Sequence, residues 1–313
     1  MTAANISKSV HQRLMNKAKN TGRPFGELLQ YYAMERFLYR LSKSRYADNF
    51  ILKGALMFIL WDVPGMTARP TRDIDLLGII DNDSESMKKV FVEICSVPVE
   101  DDGVEFNSDD ISLTPITEEA DYSGLRIRLN GNLGNARLPL QIDIGFGDIV
   151  RPAALKLRYP SILGFPSPEV KGYSAESVIA EKLQAMVKLG ILNSRMKDFY
   201  DIRVLSDIFS FNGELLSDSI KSTFKNRDTE IPEVPMFMQN SFRVDPQKQI
   251  QWKAFIRKTG LEDNTADFND TIAIIEEFIK PVFASIITNK PFSYEWEPRG
   301  PWKSGKGPIR SYN

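Results

Sequence analysis

Arg69-Pro70-Thr71-Arg72-Asp73-Ile74-Asp75-Leu76-Leu77-Gly78 is the stretch on which the fold turns. In an extended strand, alternate side chains share a face. Asp73 and Asp75 then project to one side, while Ile74 and Leu76 project to the other, toward a core. Two neighbouring carboxylates repel unless a cation lies between them. A hard divalent ion suits such oxygen ligands, with Mg²⁺ first and Mn²⁺ as a substitute, and it is commonly shared with substrate phosphates. For a bare Asp-x-Asp, a solvated strand edge is the plainer alternative.

The flanking sequence adds to this pattern. Upstream, Phe50-Ile51-Leu52-Lys53-Gly54-Ala55-Leu56-Met57 puts a glycine after an apolar run, where backbone N–H groups can approach a phosphate. An ordinary turn glycine is the alternative. Downstream, Leu125-Arg126-Ile127-Arg128-Leu129 alternates with period two. Turn residues over 130–135 follow, and then Leu138, Leu140, Ile142 and Ile144 alternate again. The two runs read as a β-hairpin, with Asp143 on the polar face of its second strand. If that strand lies beside the one carrying Asp73, three carboxylates converge as a ligand set for metal-assisted phosphoryl or nucleotidyl transfer.

Composition narrows the chemistry. The chain has 313 residues, 42% hydrophobic and 26% charged, with 40 Lys and Arg against 41 Asp and Glu. This is a globular composition without the bulk positive charge of a general nucleic-acid binder, so any such partner needs a local basic patch. The sole histidine is His11 and the sole cysteine is Cys95. An internal disulfide, a Cys/His zinc site and a multi-histidine metal site are thereby excluded. His11 reads as a solvated surface residue. No apolar run reaches the roughly 18–20 residues of a membrane span, and the N-terminus lacks a signal-peptide layout, so the expected location is the cytoplasm.

Along the chain, residues 1–44 read as two helices broken near Asn20-Thr21-Gly22-Arg23-Pro24 and packing on the core. Residues 45–170 form the mixed core, with a helix over 84–95, an acidic loop from Glu100 to Asp110 and a proline-rich irregular stretch over 150–170. Residues 171–290 are mostly helical, with helices near Ser174–Leu189, Met196–Phe209 and Thr271–Ile287, the last carrying Pro281 as a kink. Residues 291–313 read as a poorly ordered tail.

Two of these helices carry charge on the wrong face. At 100° per residue from Val178, Lys182 falls inside the apolar arc of Ala175, Ile179, Leu183 and Met186, whereas Glu181, Gln184 and Lys188 fall outside it. On the next helix, Asp198 and Asp201 fall within the arc of Ile202, Leu205 and Phe209. A snorkelling lysine and a helix-dipole aspartate would each suffice alone. Together they suggest a buried polar network at a cleft, since an unpaired buried ion costs several kcal/mol, order of magnitude.

Leu52-Lys53-Gly54-Ala55, then Arg69 to Leu76, then Ala180-Glu181-Lys182-Leu183-Gln184-Ala185, then Arg195-Met196-Lys197-Asp198-Phe199-Tyr200-Asp201-Ile202 resemble, in order, the motifs of the AbiEii/AbiGii-type nucleotidyltransferase toxins. These are the toxin halves of bacterial type IV toxin–antitoxin and phage abortive-infection systems. The resemblance spans roughly residues 30 to 210. It implies an α+β fold: a DNA polymerase β-like nucleotidyltransferase core, a mixed sheet flanked by helices, followed by a helical C-terminal domain.

The resemblance also implies roles. Asp73, Asp75 and Asp143 would hold Mg²⁺, and with Lys182 and Asp198 they form the catalytic set. Lys53, Gly54, Ala55, Arg69, Thr71, Arg72, Lys182 and Asp201 would bind the nucleoside triphosphate. The family pattern often has Gly-Ser or Gly-Gly where this chain has Gly54-Ala55, which leaves only backbone donors there. Asp148, in Gly145-Phe146-Gly147-Asp148, competes with Asp143 as third acid. The implied activity is nucleotide transfer to RNA, tRNA above all, with a cognate antitoxin as partner. Transfer to a small hydroxylated compound such as an antibiotic, or a non-catalytic partner-binding role, are the alternatives.

Overall fold

The computed structural model describes residues 3–63, 71–118, 122–261 and 267–305. The chain separates into two compact units, Met1–Asp148 with Ala154–Tyr173, and Ile149–Ala153 with Ser174–Asn313.

The first unit contains α1 (Ala3–Thr21), α2 (Phe25–Lys43), β1 (Phe50–Lys53), α3 (Leu56–Leu60), β2 (Asp73–Gly78), α4 (Ser84–Cys95), β3 (Val104–Glu118), β4 (Tyr122–Leu133), β5 (Ala136–Phe146), β6 (Leu155–Arg158) and β7 (Glu169–Gly172). Its strands make one mixed seven-stranded sheet in the order β3-β4-β5-β2-β1-β7-β6. Ile74 and Leu76 of β2, Ile142 and Ile144 of β5, and Leu125 and Ile127 of β4 are all buried in one core with α2 and α4. Full burial of each such side chain contributes about 1.5–3 kcal/mol, which fixes the strand register, because a one-residue slip would expose the whole row. The polar residues alternating with them face the other way. The mixed sheet flanked by helices gives the α+β architecture.

Four local expectations change. The hairpin strands run longer than their alternation suggests, and the turn falls at Gly134 and Asn135 instead of spanning 130–135. The acidic stretch from Glu100 to Asp110 is not all loop, because β3 begins at Val104 and pairs antiparallel with β4, with a register shift between Asn107 and Ser112. β3 is an edge strand, where acidic side chains are solvated and discourage pairing with another chain. The proline-rich stretch over 150–170 contributes β6 and leads into β7, which pairs with β1. His11 is half-buried against the ring of Phe25, 4.9 Å between centroids, and not simply solvated.

The second unit contains α5 (Ala175–Leu189), α6 (Met196–Ile208), β8 (Phe211–Asn212), α7 (Gly213–Asn226), α8 (Asn240–Arg243), α9 (Pro246–Thr259), α10 (Phe268–Ile287), β9 (Tyr294–Trp296) and β10 (Trp302–Ser304). Ser174 caps α5 by accepting from the Ser177 N–H, and Pro281 lies within α10. Gln184 is buried, not solvent-facing: its amide donates to Thr229 at 2.8 Å and its carbonyl accepts from Arg227 at 2.9 Å. The polar side of α5 is covered by a second layer that includes α7.

The expected disorder of the tail is corrected as far as residue 305. β8, β9 and β10 form a three-stranded sheet. Trp296 is buried and donates its indole N–H to the Ser206 carbonyl at 2.8 Å, and Trp302 stacks on Phe278 at 5.6 Å. Two large aromatic faces outweigh the breaker content of the segment. Residues 306–313 lie outside the described residues.

Candidate active site

β2 pairs with β5 in parallel, Asp75 opposite Asp143 and Asp73 opposite Gln141. It pairs with β1 in antiparallel fashion, Asp75 opposite Lys53. β4 continues the row on the far side of β5, Arg126 opposite Asp143 and Arg128 opposite Gln141. Directly opposed residues share a face. One face of the sheet thus carries Lys53, Asp75, Asp143 and Arg126 side by side on four strands, with Asp73, Gln141 and Arg128 in the next row.

Gly54 follows directly from β1 with φ +70°, the left-handed region that glycine tolerates. A Cβ built there would lie 1.9 Å from Asp75 Oδ2. Only a bare backbone fits so close to that carboxylate. Ala55 then opens α3 and makes no side-chain capping bond.

The two candidates for third acid are separated by their partners. Asp143 receives two hydrogen bonds from Arg126, Nε to Oδ1 at 2.8 Å and Nη2 to Oδ2 at 2.7 Å. Asp148 lies beyond the strand and pairs with Lys53 Nζ at 3.1 Å. That ammonium also lies 5.8 Å from the centre of the Tyr173 ring. Asp143 is therefore the acid in register with Asp75. Among the described residues, no three His, Cys, Asp or Glu side chains are grouped as a metal cage. Asp73 and Asp75, hard oxygen donors on one face beside a cradle that a Cβ would fill, do fit a divalent cation.

Thr71 and Arg72 lead into β2. The Thr71 N–H donates to the Tyr31 hydroxyl at 3.1 Å, its own hydroxyl donates to the Asp73 carbonyl at 3.3 Å, and the Arg72 side chain is exposed. Arg69 lies outside the described residues. The grip of Arg126 on Asp143 and of Lys53 on Asp148 were not anticipated. Alternation put Arg126 and Asp143 each on the polar face of its own strand, and only the register matches them. Cys95 offers no alternative chemistry, because burial pushes its thiol up to about 12.

The second unit holds the other cluster. Lys182 Nζ lies 2.7 Å from Asp198 Oδ1 and 2.7 Å from Asp201 Oδ2, and Arg195 Nε lies 2.7 Å from Asp198 Oδ2. The Asp198 and Asp201 side chains are 0% and 2% exposed, and that of Lys182 15%. Burial alone would discharge these groups. Instead, Asp198 and Asp201 hold the Lys182 ammonium above its ordinary pKa despite burial. Against the same desolvation, Lys182 and Arg195 hold Asp198 below the usual carboxylate range.

No curated protein matches the chain. Among solved structures, it is similar to JHP933 from Helicobacter pylori, with 12% identity over 81% of this chain and 90% of that one, at a TM-score of 0.44. It is also similar to a candidate nucleotidyltransferase from H. pylori, with 12% identity over 82% of this chain and 95% of that one, at a TM-score of 0.43. A family model described as nucleotidyl transferase AbiEii toxin, type IV TA system, matches residues 36–274, a span that includes every acid and lysine located above. With most of its length matched, the chain belongs to the AbiEii nucleotidyltransferase toxin family of type IV toxin–antitoxin systems, whose members use a nucleoside triphosphate with a divalent metal and are paired with an antitoxin.

Proposed function

We propose that this nucleotidyltransferase moves a nucleoside monophosphate from a nucleoside triphosphate onto a hydroxyl of an RNA, tRNA foremost, with Mg²⁺ as the ion. The observation that carries this reading is the pairing of Asp73 and Asp75 on one sheet face, with the Gly54 backbone packed against Asp75. In the reaction, the acceptor oxygen bonds to the α-phosphorus, the bond to pyrophosphate breaks, and the hydroxyl proton passes to a base or to solvent. When bound, the ion neutralises charge on the phosphates and the departing pyrophosphate. Asp73 and Asp75 would hold it, and Gly54 would keep the phosphate approach free of side-chain bulk.

RNA as the acceptor is supported by local charge. Arg72 and Arg128 are exposed, Arg72 directly precedes Asp73, and Arg128 lies in the Asp73 row. They offer phosphate contacts that the overall charge of −1 conceals. For Lys182 we propose a phosphate contact, with Asp198 and Asp201 orienting it. The setting is the cytoplasm, and no helix among the described residues is long and apolar enough to cross a membrane.

Labelled triphosphates incubated with total tRNA test the reading. Wild-type protein should label the RNA, and Asp75→Ala should reduce transfer about a hundred- to a thousandfold, of the order seen when a preorganised group is removed from an active site. Undiminished labelling by Asp75→Ala would remove the site assignment. Label appearing only on a small hydroxylated compound would replace RNA as the acceptor.

A further inference from the structure

Asp143 stands between a carboxylate and a cation. On one side its register partner is Asp75, and on the other it is Arg126. The guanidinium engages both Asp143 oxygens, fork to fork, at 2.8 Å and 2.7 Å, and Gln141 Nε2 lies 3.4 Å from Oδ2. These are the oxygens through which Asp143 would join a metal site. The side chains are 33% exposed for Arg126 and 18% for Asp143, so water reaches the pair and can support an exchange of partners. Arginine binds phosphate with the same bidentate geometry it uses for carboxylate. A triphosphate brings more negative charge than one aspartate.

We propose that Arg126 is a positioning residue that couples nucleotide binding to metal binding. Without nucleotide it chelates Asp143 and keeps that acid away from the cation. When a triphosphate arrives, the guanidinium transfers to a phosphate oxygen and Asp143 is released to join Asp73 and Asp75. One ion pair is exchanged for another, and no covalent bond changes. The polar row of the sheet thus carries its own cation, which keeps three carboxylates from facing one another. Metal and triphosphate then bind with positive coupling, each strengthening the other by the same factor. This inference rests on the nucleotidyltransferase reading of the sheet face.

The test is a titration of the full chain with Mn²⁺, with free ion followed by electron paramagnetic resonance and no acceptor present. Arg126→Met keeps the length of the side chain and removes the charge. It should bind Mn²⁺ at least about fivefold more tightly than wild type without nucleotide, and should be tightened at least about fivefold less by a non-hydrolysable triphosphate, whose own phosphate oxygens still ligate the ion. Arg126→Lys, which keeps the charge but loses the fork, should shift both quantities in the same direction by less, and stands in if Arg126→Met does not fold. Adding Asp143→Asn to Arg126→Met should cancel the gain. Asp75→Asn is the control for the underlying reading and should weaken Mn²⁺ binding in every background. If Asp75→Asn weakens binding while the folded Arg126 variants match wild type, the coupling role is overturned and the site assignment stands. If Asp75→Asn binds Mn²⁺ like wild type, the site assignment itself falls.

Discussion

The carboxylates of β5 and α6 are both held by cations, but they differ in how far they are buried. Asp143 and its partner Arg126 are 18% and 33% exposed at the surface of a sheet, whereas Asp198 and Asp201 are sealed at 0% and 2%. Desolvation explains what this difference does. In the helical unit the two carboxylates cannot return to water, so Lys182 and Arg195 are the counter-ions that make their burial tolerable. On the sheet face, each charge keeps access to solvent, and a partner can be replaced by a ligand at small cost. The first arrangement suits a lysine held in one fixed orientation, and the second suits a site that must exchange ions.

The sharpest way to break this comparison is Lys182→Met. It removes the ammonium shared by two buried carboxylates and should cost about 3–5 kcal/mol of stability in chemical denaturation, whereas Asp75→Ala should cost less than about 1 kcal/mol. Equal losses for the two variants would mean that the clusters are built alike. Next in size is Gly54→Ala. Its positive φ and the encroachment on Asp75 should together cost about 1–3 kcal/mol in a thermal melt and weaken triphosphate binding. Placing it in an Asp75→Ala background should recover the part due to the carboxylate and leave the part due to φ and to the Cβ at position 75, 2.8 Å away.

The smallest effect is in pH dependence. Asp198 is held below its ordinary pKa, so its contribution is present above the unfolded value near 3.9 and is lost as pH falls through the lower folded value. Lys182 is held above its ordinary pKa, so its contribution is present below roughly 10.4 and is lost as pH rises through the higher folded value. Melts of wild type and Lys182→Met between about pH 9 and 12 should converge as pH rises. Curves that stay parallel would show that Lys182 does not titrate with folding.

Much of this was legible from side-chain period alone. Alternation identified β2 and the β4–β5 hairpin, because one face of each is buried and the other wet. The angular positions of Lys182, Asp198 and Asp201 anticipated that they meet, because a charge within an apolar arc must find a counter-charge. β3 was obscured because an edge strand can hold acids without a regular burial pattern, and Val104 to Asp110 therefore resembled a loop. Gln184 was misplaced because helical angle locates the strongest apolar face and cannot reveal a second layer packed on the other side. The pairing of Arg126 with Asp143 depends on register between strands, a relation that neither strand carries by itself. The contacts of Trp296 and Trp302 likewise depend on partners distant along the chain.

Those tryptophans also bear on the order in which the protein is made. The Trp296 indole closes on the Ser206 carbonyl across 90 residues, and Trp302 covers Phe278. Until residues 294–304 leave the ribosome, α6 and α10 have no such cover, and Phe278 lacks two of its ring partners. The helical unit is thus completed late in synthesis, after every acid and lysine named above has already emerged. Ribosomes halted before Trp296 would carry a chain with its acid-bearing sheet already synthesised and its helical unit still unfinished.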